Sequence, residues 1–233
     1  MKLYTAQNQF FPVHTAGFVR RVSPLDEIQA ILFDMDNTLY TNNEYAKEQI
    51  DLPVTRLAEI LGKSYTQMIA EISQIRKNYS DVHMGQAISL CGIFLSFGVS
   101  VEESVKIREE VLQPEKHLNE DKKLTFVLKE LALRFPLAVV TNNPVLVAVR
   151  TLSILGVKDF FRAIVGLDTC MVSKPHPAPL LKAALLCETN VKKCISVGDR
   201  YFIDISPALE LGMSGVLVDG VEDVYKLPEL FLK

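Results

Sequence analysis

The stretch AILFDMDNTLY, residues 30–40, decides how the chain is read. Its first four residues are apolar, and the run stops at Asp34, with Asp36, Asn37 and Thr38 just beyond. A short apolar run bounded by polar residues fits a strand buried on both faces of a parallel sheet. Similar runs recur at 137–140 ahead of Thr141, 194–197 ahead of Gly198, and 215–218 ahead of Asp219, with 162–167 ahead of Asp168 as a further candidate. Helical patterns lie between them, at 144–155 closed by Gly156, 177–186, and 202–211 closed by Gly212, each glycine suited to a C-cap. The alternation predicts a doubly wound α/β domain.

Between residues 41 and 118 the strand signals stop and the pattern becomes that of several amphipathic helices. Ser64 with Gln67 and Ser100 with Glu103 have capping-box spacing, and Pro53 is expected to start or kink a helix. Gly85, Gly92 and Gly98 argue against one long helix over 84–97. The expected architecture is a Rossmann-like three-layer core with a parallel sheet, at 29–40 and 119–233, and an all-helical cap at 41–118. Residues 1–28, with Phe10, Phe11 and Phe18, are expected to form an arm packed on the core.

The 233 residues, 48% hydrophobic and 23% charged, suffice for a core domain plus one insertion. A net charge of −3 carries no basic footprint for nucleic acid or an anionic membrane surface. Cys91, Cys170, Cys187 and Cys194 are far apart, without the spacing of a zinc site or disulfide framework. The first 22 residues, MKLYTAQNQFFPVHTAGFVRRV, hold no continuous apolar segment, and no later segment approaches membrane-spanning length. A cytoplasmic location is the expectation, with no membrane, nucleic-acid or obligate protein partner.

The polar residues gather where the predicted strands end, which is where open α/β sheets bind ligands. They are Asp34, Asp36 and Thr38; Thr141, Asn142 and Asn143; Asp199 and Asp204; and Lys174 in a loop before a helix. Singly, each has a structural explanation. Asp34 and Asp36 could belong to a turn, or to a calcium loop, although that pattern wants glycine and glutamate where Leu39 and Tyr45 stand. Thr141 to Asn143, followed by Pro144, could be a helix N-cap, Lys174 could be solvated, and Asp199 with Asp204 could cap a helix.

Together and in this order they resemble the haloacid dehalogenase superfamily, among its members with a helical cap after the first strand. The family's DxDxT motif is matched by Asp34, Asp36 and Thr38, its second motif by Thr141, its third by Lys174 in SKPHPAP, and its fourth, GDxxxxD, by Asp199 and Asp204. The resemblance covers residues 30–230. FDMDNTLY and the cap length are similar to the pyrimidine 5′-nucleotidase-like and phosphoglycolate phosphatase-like branch, but such openings are widespread among capped phosphatases.

The resemblance implies a Mg2+-dependent phosphatase of small phosphorylated metabolites. Asp34 is the expected nucleophile, since a carboxylate can form an aspartyl-phosphate that divides one difficult hydrolysis into two easier steps. Asp36 is the expected acid and base. Asp34, the Asp36 carbonyl and Asp199 would hold magnesium, with Asp204 directly behind or through water. Lys174, Thr141 and the Asn142 backbone N–H would hold the phosphoryl group. Asn143, Arg200 and His176 read as capping or surface residues. A phosphomutase, a phosphonatase using Lys47 or Lys63, and a non-catalytic phospho-ligand module are the alternatives. Arg76, Lys77, Asn78, Tyr79 and His83 are candidates for reaching a nucleoside monophosphate, sugar phosphate or phosphoglycolate from the cap.

Overall fold

The computed structural model describes residues 1–4, 10–12, 28–83 and 85–232. Five parallel strands form the centre of its sheet: β3 (Ala30–Phe33), β4 (Leu137–Val140), β5 (Phe161–Val165), β6 (Cys194–Gly198) and β7 (Ser214–Leu217). Two further strands come from the N-terminal stretch, β1 (Lys2–Tyr4) and β2 (Phe10–Pro12), and the sheet order is β2-β1-β7-β6-β3-β4-β5. β1 runs antiparallel to both β7 and β2, so this stretch extends the sheet. The expectation of an arm laid on the core misses that pairing, because three-residue strands carry too little pattern to be read. Phe18 lies outside the described residues.

Strand alternation explains the three layers. In β3, Ile31 and Phe33 join one apolar cluster while Ala30 and Leu32 join the other. β4 divides in the same way, Leu137 and Val139 against Ala138 and Val140. Successive side chains of a strand point to opposite faces, so a run apolar at every position needs cover on both. One face is covered by α5 (Lys122–Ala132), which contributes Leu124, Val127, Leu128 and Leu131. The other is covered by α8 (Ala178–Leu186), through Leu180, Ala183 and Ala184. Full burial of each such leucine contributes about 1.5–3 kcal/mol.

The segment between β3 and β4 opens with four helices: α1 (Asn43–Ile60), α2 (Tyr65–Val82), α3 (Leu90–Ser96) and α4 (Val101–Val111). Both capping boxes form, Ser64 with Gln67 and Ser100 with Glu103. Pro53 is accommodated within α1. These helices have an apolar cluster of their own, in which Val54, Leu57, Met68, Ile72, Phe94 and Ile107 are buried. Their inner core is therefore separate from the two clusters that flank the sheet. Among the described residues no helix is long and apolar enough to cross a membrane.

Candidate active site

Every central strand ends at the same edge, and register decides what meets there. β3 lies between β4 and β6, pairing Phe33 with Val139 and Val197, so Asp34 emerges between the ends of both neighbours. The Asp34 N–H donates to the Val197 carbonyl at 2.7 Å, and its side chain is only 2% exposed. Beyond it the chain turns sharply: the N–H groups of Thr38 and Leu39 both donate to the Met35 carbonyl, and Asn37 sits at φ 55°. Asparagine tolerates this left-handed conformation better than most residues.

Lys174, 1% exposed, spends its ammonium on three acceptors: Asp34 Oδ1 at 2.7 Å, Asp204 Oδ1 at 2.7 Å and the Val140 carbonyl at 2.6 Å. Burial opposes its charge, but Asp204 and Asp34 together raise its pKa above the ordinary lysine value. Asn142 fixes the lysine's backbone, donating to the Lys174 carbonyl at 3.0 Å and accepting from the Lys174 N–H at 2.7 Å. Sequence reasoning assigned Asn142 only a backbone contact; its side chain holds the lysine loop in register.

Asp34, Asp199 and Asp204 each place an oxygen within 4.8 Å of the others. Asp204 comes so close to the end of β6 that a Cβ on Gly198 would lie 2.5 Å from its Cβ, which explains the glycine. Asp204 also accepts from the Arg200 N–H at 3.0 Å. Burial and the Asp34 charge push the Asp199 carboxyl up to about 7 and raise Asp204 in the same direction. Arg200 is more than the capping or surface residue expected, reaching to within 3.6–3.9 Å of all three carboxylates. That separation softens their repulsion without satisfying their oxygens. Asp34 Oδ2 and Asp199 Oδ1 are buried without a hydrogen bond. Buried carboxylate oxygens without donors are the groups that a hard divalent cation satisfies, and no histidine or thiol competes in this set. The residues present fit Mg2+.

Asp36 belongs to a different network. Its Oδ1 accepts from the Tyr40 hydroxyl, and its Oδ2 accepts from Asn143 Nδ2 at 2.9 Å and the Thr141 hydroxyl at 3.2 Å. Gln49 on α1 closes the ring, donating to the Tyr40 oxygen at 2.8 Å and accepting from Asn143 Nδ2 at 2.6 Å. Burial, then the Asp34 charge, raises the Asp36 pKa against the lowering effect of Tyr40. A raised carboxyl pKa suits a group that must carry a proton at neutral pH. Asn143 is thus more than the capping residue expected, and Thr141 is turned toward Asp36.

A cavity of about 290 Å³ opens beside these groups, and Asp36, Asp199 and Arg200 form part of its wall. The helical insertion supplies Ala46, Gln49, Ile50, Ser89, Leu90 and Arg108. Ser89 also meets the lysine loop, its hydroxyl lying 2.8 Å from that of Ser173. Arg76, Lys77, Asn78, Tyr79 and His83 do not line the cavity; Tyr79 and His83 stack on each other instead, at an exposed helix end. Lys63 is paired with Glu71 and Lys47 is exposed beside Asp51, so neither candidate Schiff-base lysine is in the wall. His176 is exposed and caps α8 through the Ala178 N–H. Arg108 was not singled out by the sequence, although it shares the buried face of α4 with Ser104 and Ile107, and a charge on such a face is itself a signal.

A family model described as haloacid dehalogenase-like hydrolase matches residues 28–212. Phosphoglycolate phosphatase of Pectobacterium atrosepticum is 34% identical over 110 residues, 40% of this chain, and the chain spans about half, 47%, of that relative's length. Glyceraldehyde 3-phosphate phosphatase of Methanocaldococcus jannaschii is 26% identical over 200 residues, 82% of this chain and 85% of that protein. A crystal structure of a HAD phosphatase from Thermococcus onnurineus shares the fold with a TM-score of 0.60 at 21% identity, covering 87% of this chain and 97% of that one. With four ordered motifs on the edge of one sheet and a family model spanning most of its length, the chain belongs to the haloacid dehalogenase-like hydrolases.

Proposed function

We propose that the protein is a Mg2+-dependent phosphatase of small phosphate monoesters, with Asp34 as nucleophile and Asp36 as acid and base. The observation that carries this reading is the division within one carboxylate: Asp34 Oδ1 is held by Lys174, while its Oδ2 has no hydrogen bond. The oxygen with no donor is open to a cation, which leaves its partner, oriented by Lys174, to attack phosphorus.

In the first step a bond forms between Asp34 Oδ1 and phosphorus as the ester P–O bond breaks, and Asp36 gives its proton to the departing oxygen. In the second, Asp36 takes a proton from the water that attacks the aspartyl-phosphate. Inorganic phosphate leaves and the Asp34 carboxylate returns. Thr141 and the Asn142 N–H receive phosphoryl oxygens, and Lys174 offsets the charge gathered around Asp34. Tyr40, Asn143 and Gln49 orient Asp36. Asp34, the Asp36 carbonyl and Asp199, with Asp204 behind them, would hold magnesium, which would supply the positive charge that lets a carboxylate approach a phosphate. Residues 41–118 serve as a cap, which excludes bulk water and limits the leaving group to what fits beneath it.

Small phosphorylated organic acids and aldehydes are the substrates to try first, a choice supported by the names of the relatives, with nucleoside monophosphates and sugar phosphates beside them. The test is phosphate release from such a panel by purified protein, before and after chelation. Activity that vanishes with EDTA and returns with Mg2+ is expected. An EDTA-insensitive rate, or no release from any monoester, would overturn the proposal.

A further inference from the structure

Arg108 is a buried cation that the reaction outlined above does not use. It lies on α4, is 4% exposed, and stands in the wall of the cavity that Asp36 shares. Its Nη1 donates to the Asn142 carbonyl at 2.7 Å and, more weakly, to Asn143 Oδ1 at 3.4 Å. Its Nε is buried with no hydrogen bond, and no ion pair joins it to a described carboxylate, Asp36 supporting its charge only from a distance. Burial lowers its pKa, yet a guanidinium keeps its charge.

We propose that Arg108 is a specificity-determining residue: its guanidinium receives a second anionic group, carboxylate or phosphate, on the leaving group of a small phosphate monoester. This rests on the phosphatase reading of the site. A brace between α4 and the loop after β4 needs one donor and no charge. Arg108 presents five donors in a planar fork and spends one nitrogen on that brace. A buried charge with no hydrogen-bonded counter-ion is costly, so an arginine kept in that state in the wall of a ligand-sized cavity is suited to receive an anion. The rest of the cap's contribution agrees: Ala46, Gln49, Ile50, Ser89 and Leu90 bring no positive charge, while Arg200 is already among carboxylates. A cavity of about 290 Å³ is near the lower end for ligand sites and has room for a small phosphorylated metabolite.

The test compares pairs that differ in one anionic group. 3-Phosphoglycerate and glycerol 3-phosphate differ by a carboxylate against a hydroxymethyl; propane-1,3-diol bisphosphate and propyl phosphate differ by a second phosphate. Wild-type protein should favour the doubly anionic member of at least one pair by about 10-fold to 100-fold in kcat/KM, mainly through KM, as for a charge-assisted hydrogen bond. The favoured pair identifies the anion as carboxylate or phosphate. In Arg108→Gln the loss should fall on the doubly anionic member, bringing its ratio close to one. Arg108→Lys, which keeps the charge without the fork, should retain only part of the preference and carries the test if the glutamine variant does not fold. Affinities measured on Asp34→Asn with Mg2+ read the same ratio without turnover, so a failed phosphatase reading and a failed Arg108 reading remain distinguishable. Ratios near one in the wild type for both pairs, or equal losses on both members in the Arg108 variants, would overturn the proposal and leave Arg108 as a brace alone.

Discussion

Two places among the described residues bring three acidic or imidazole groups within 4.8 Å of one another: Asp34, Asp199 and Asp204 at the strand ends, and Glu44, Glu48 and His117 at the start of α1. By composition the second is the better transition-metal candidate, since it offers an imidazole. The fold treats them differently. His117 Nε2 is already engaged with Glu48 at 2.9 Å, its ring stacks on Tyr45, and Glu44 is exposed to water. Solvated carboxylates near a satisfied imidazole have little to gain from an ion. At the strand ends the carboxylates are more deeply buried, burial and the Asp34 charge raise the pKa values of Asp199 and Asp204, and two oxygens are without donors. Proximity of ligand types is common; buried charge that the protein itself leaves uncompensated is what marks a site.

The largest effect that separates the two clusters is expected at Asp34. Asp34→Asn should remove phosphate release by at least about 10⁴-fold, and with it the phosphoenzyme, because an amide is a poor nucleophile. Radiolabelled phosphate trapped on any other residue would break the assignment.

Asp36→Ala should separate the two chemical steps. Nitrophenolate departs without a proton, so p-nitrophenyl phosphate should give a burst near one equivalent per enzyme. The steady state that follows should be about 10²–10⁴-fold slower than wild type, because the water has lost its base. Stopped-flow absorbance reads both phases, and a wild-type steady state would contradict the role given to Asp36.

Gly198→Ala probes the buried cluster through packing. A Cβ 2.5 Å from that of Asp204 must displace the aspartate from Lys174 and the Arg200 N–H. A loss of about 1–3 kcal/mol is expected, typical of overpacking, and denaturant unfolding measures it. Unchanged stability would mean that Asp204 moves freely.

The smallest effect should come from the second cluster. Glu48→Gln removes a half-exposed partner of His117, so stability should change by less than about 1 kcal/mol and the rate by less than about twofold. A large loss of activity that excess Mg2+ restored would make this cluster a functional ion site and dissolve the contrast.

The central strands, the helical insertion and the strand-end residues were legible because each leaves a local mark: four apolar residues in a row, a capping box, a carboxylate directly after a strand. β1 and β2 were not legible, because three residues carry no usable period and the strand that joins β1 to the sheet, β7, is more than 200 residues away. Asn143 and Gln49 were missed for a related reason. Asparagine beside a proline reads as a cap, and glutamine on an amphipathic helix reads as solvent-facing, until folding brings both to Asp36.

What the sequence by itself determined is the order of motifs and the residue types at the strand ends, because burial on both faces of a sheet demands apolar runs and phosphoryl chemistry demands carboxylates and a lysine. Tertiary structure decided which of those groups are satisfied and which are left wanting. Lys174 and Asp34 are 140 positions apart, and Arg108 and Asn142 are 34 apart, so their contacts depend on strand register and helix docking. Whether a buried charge is paired is a property of three-dimensional neighbours, and no local pattern in the chain encodes it.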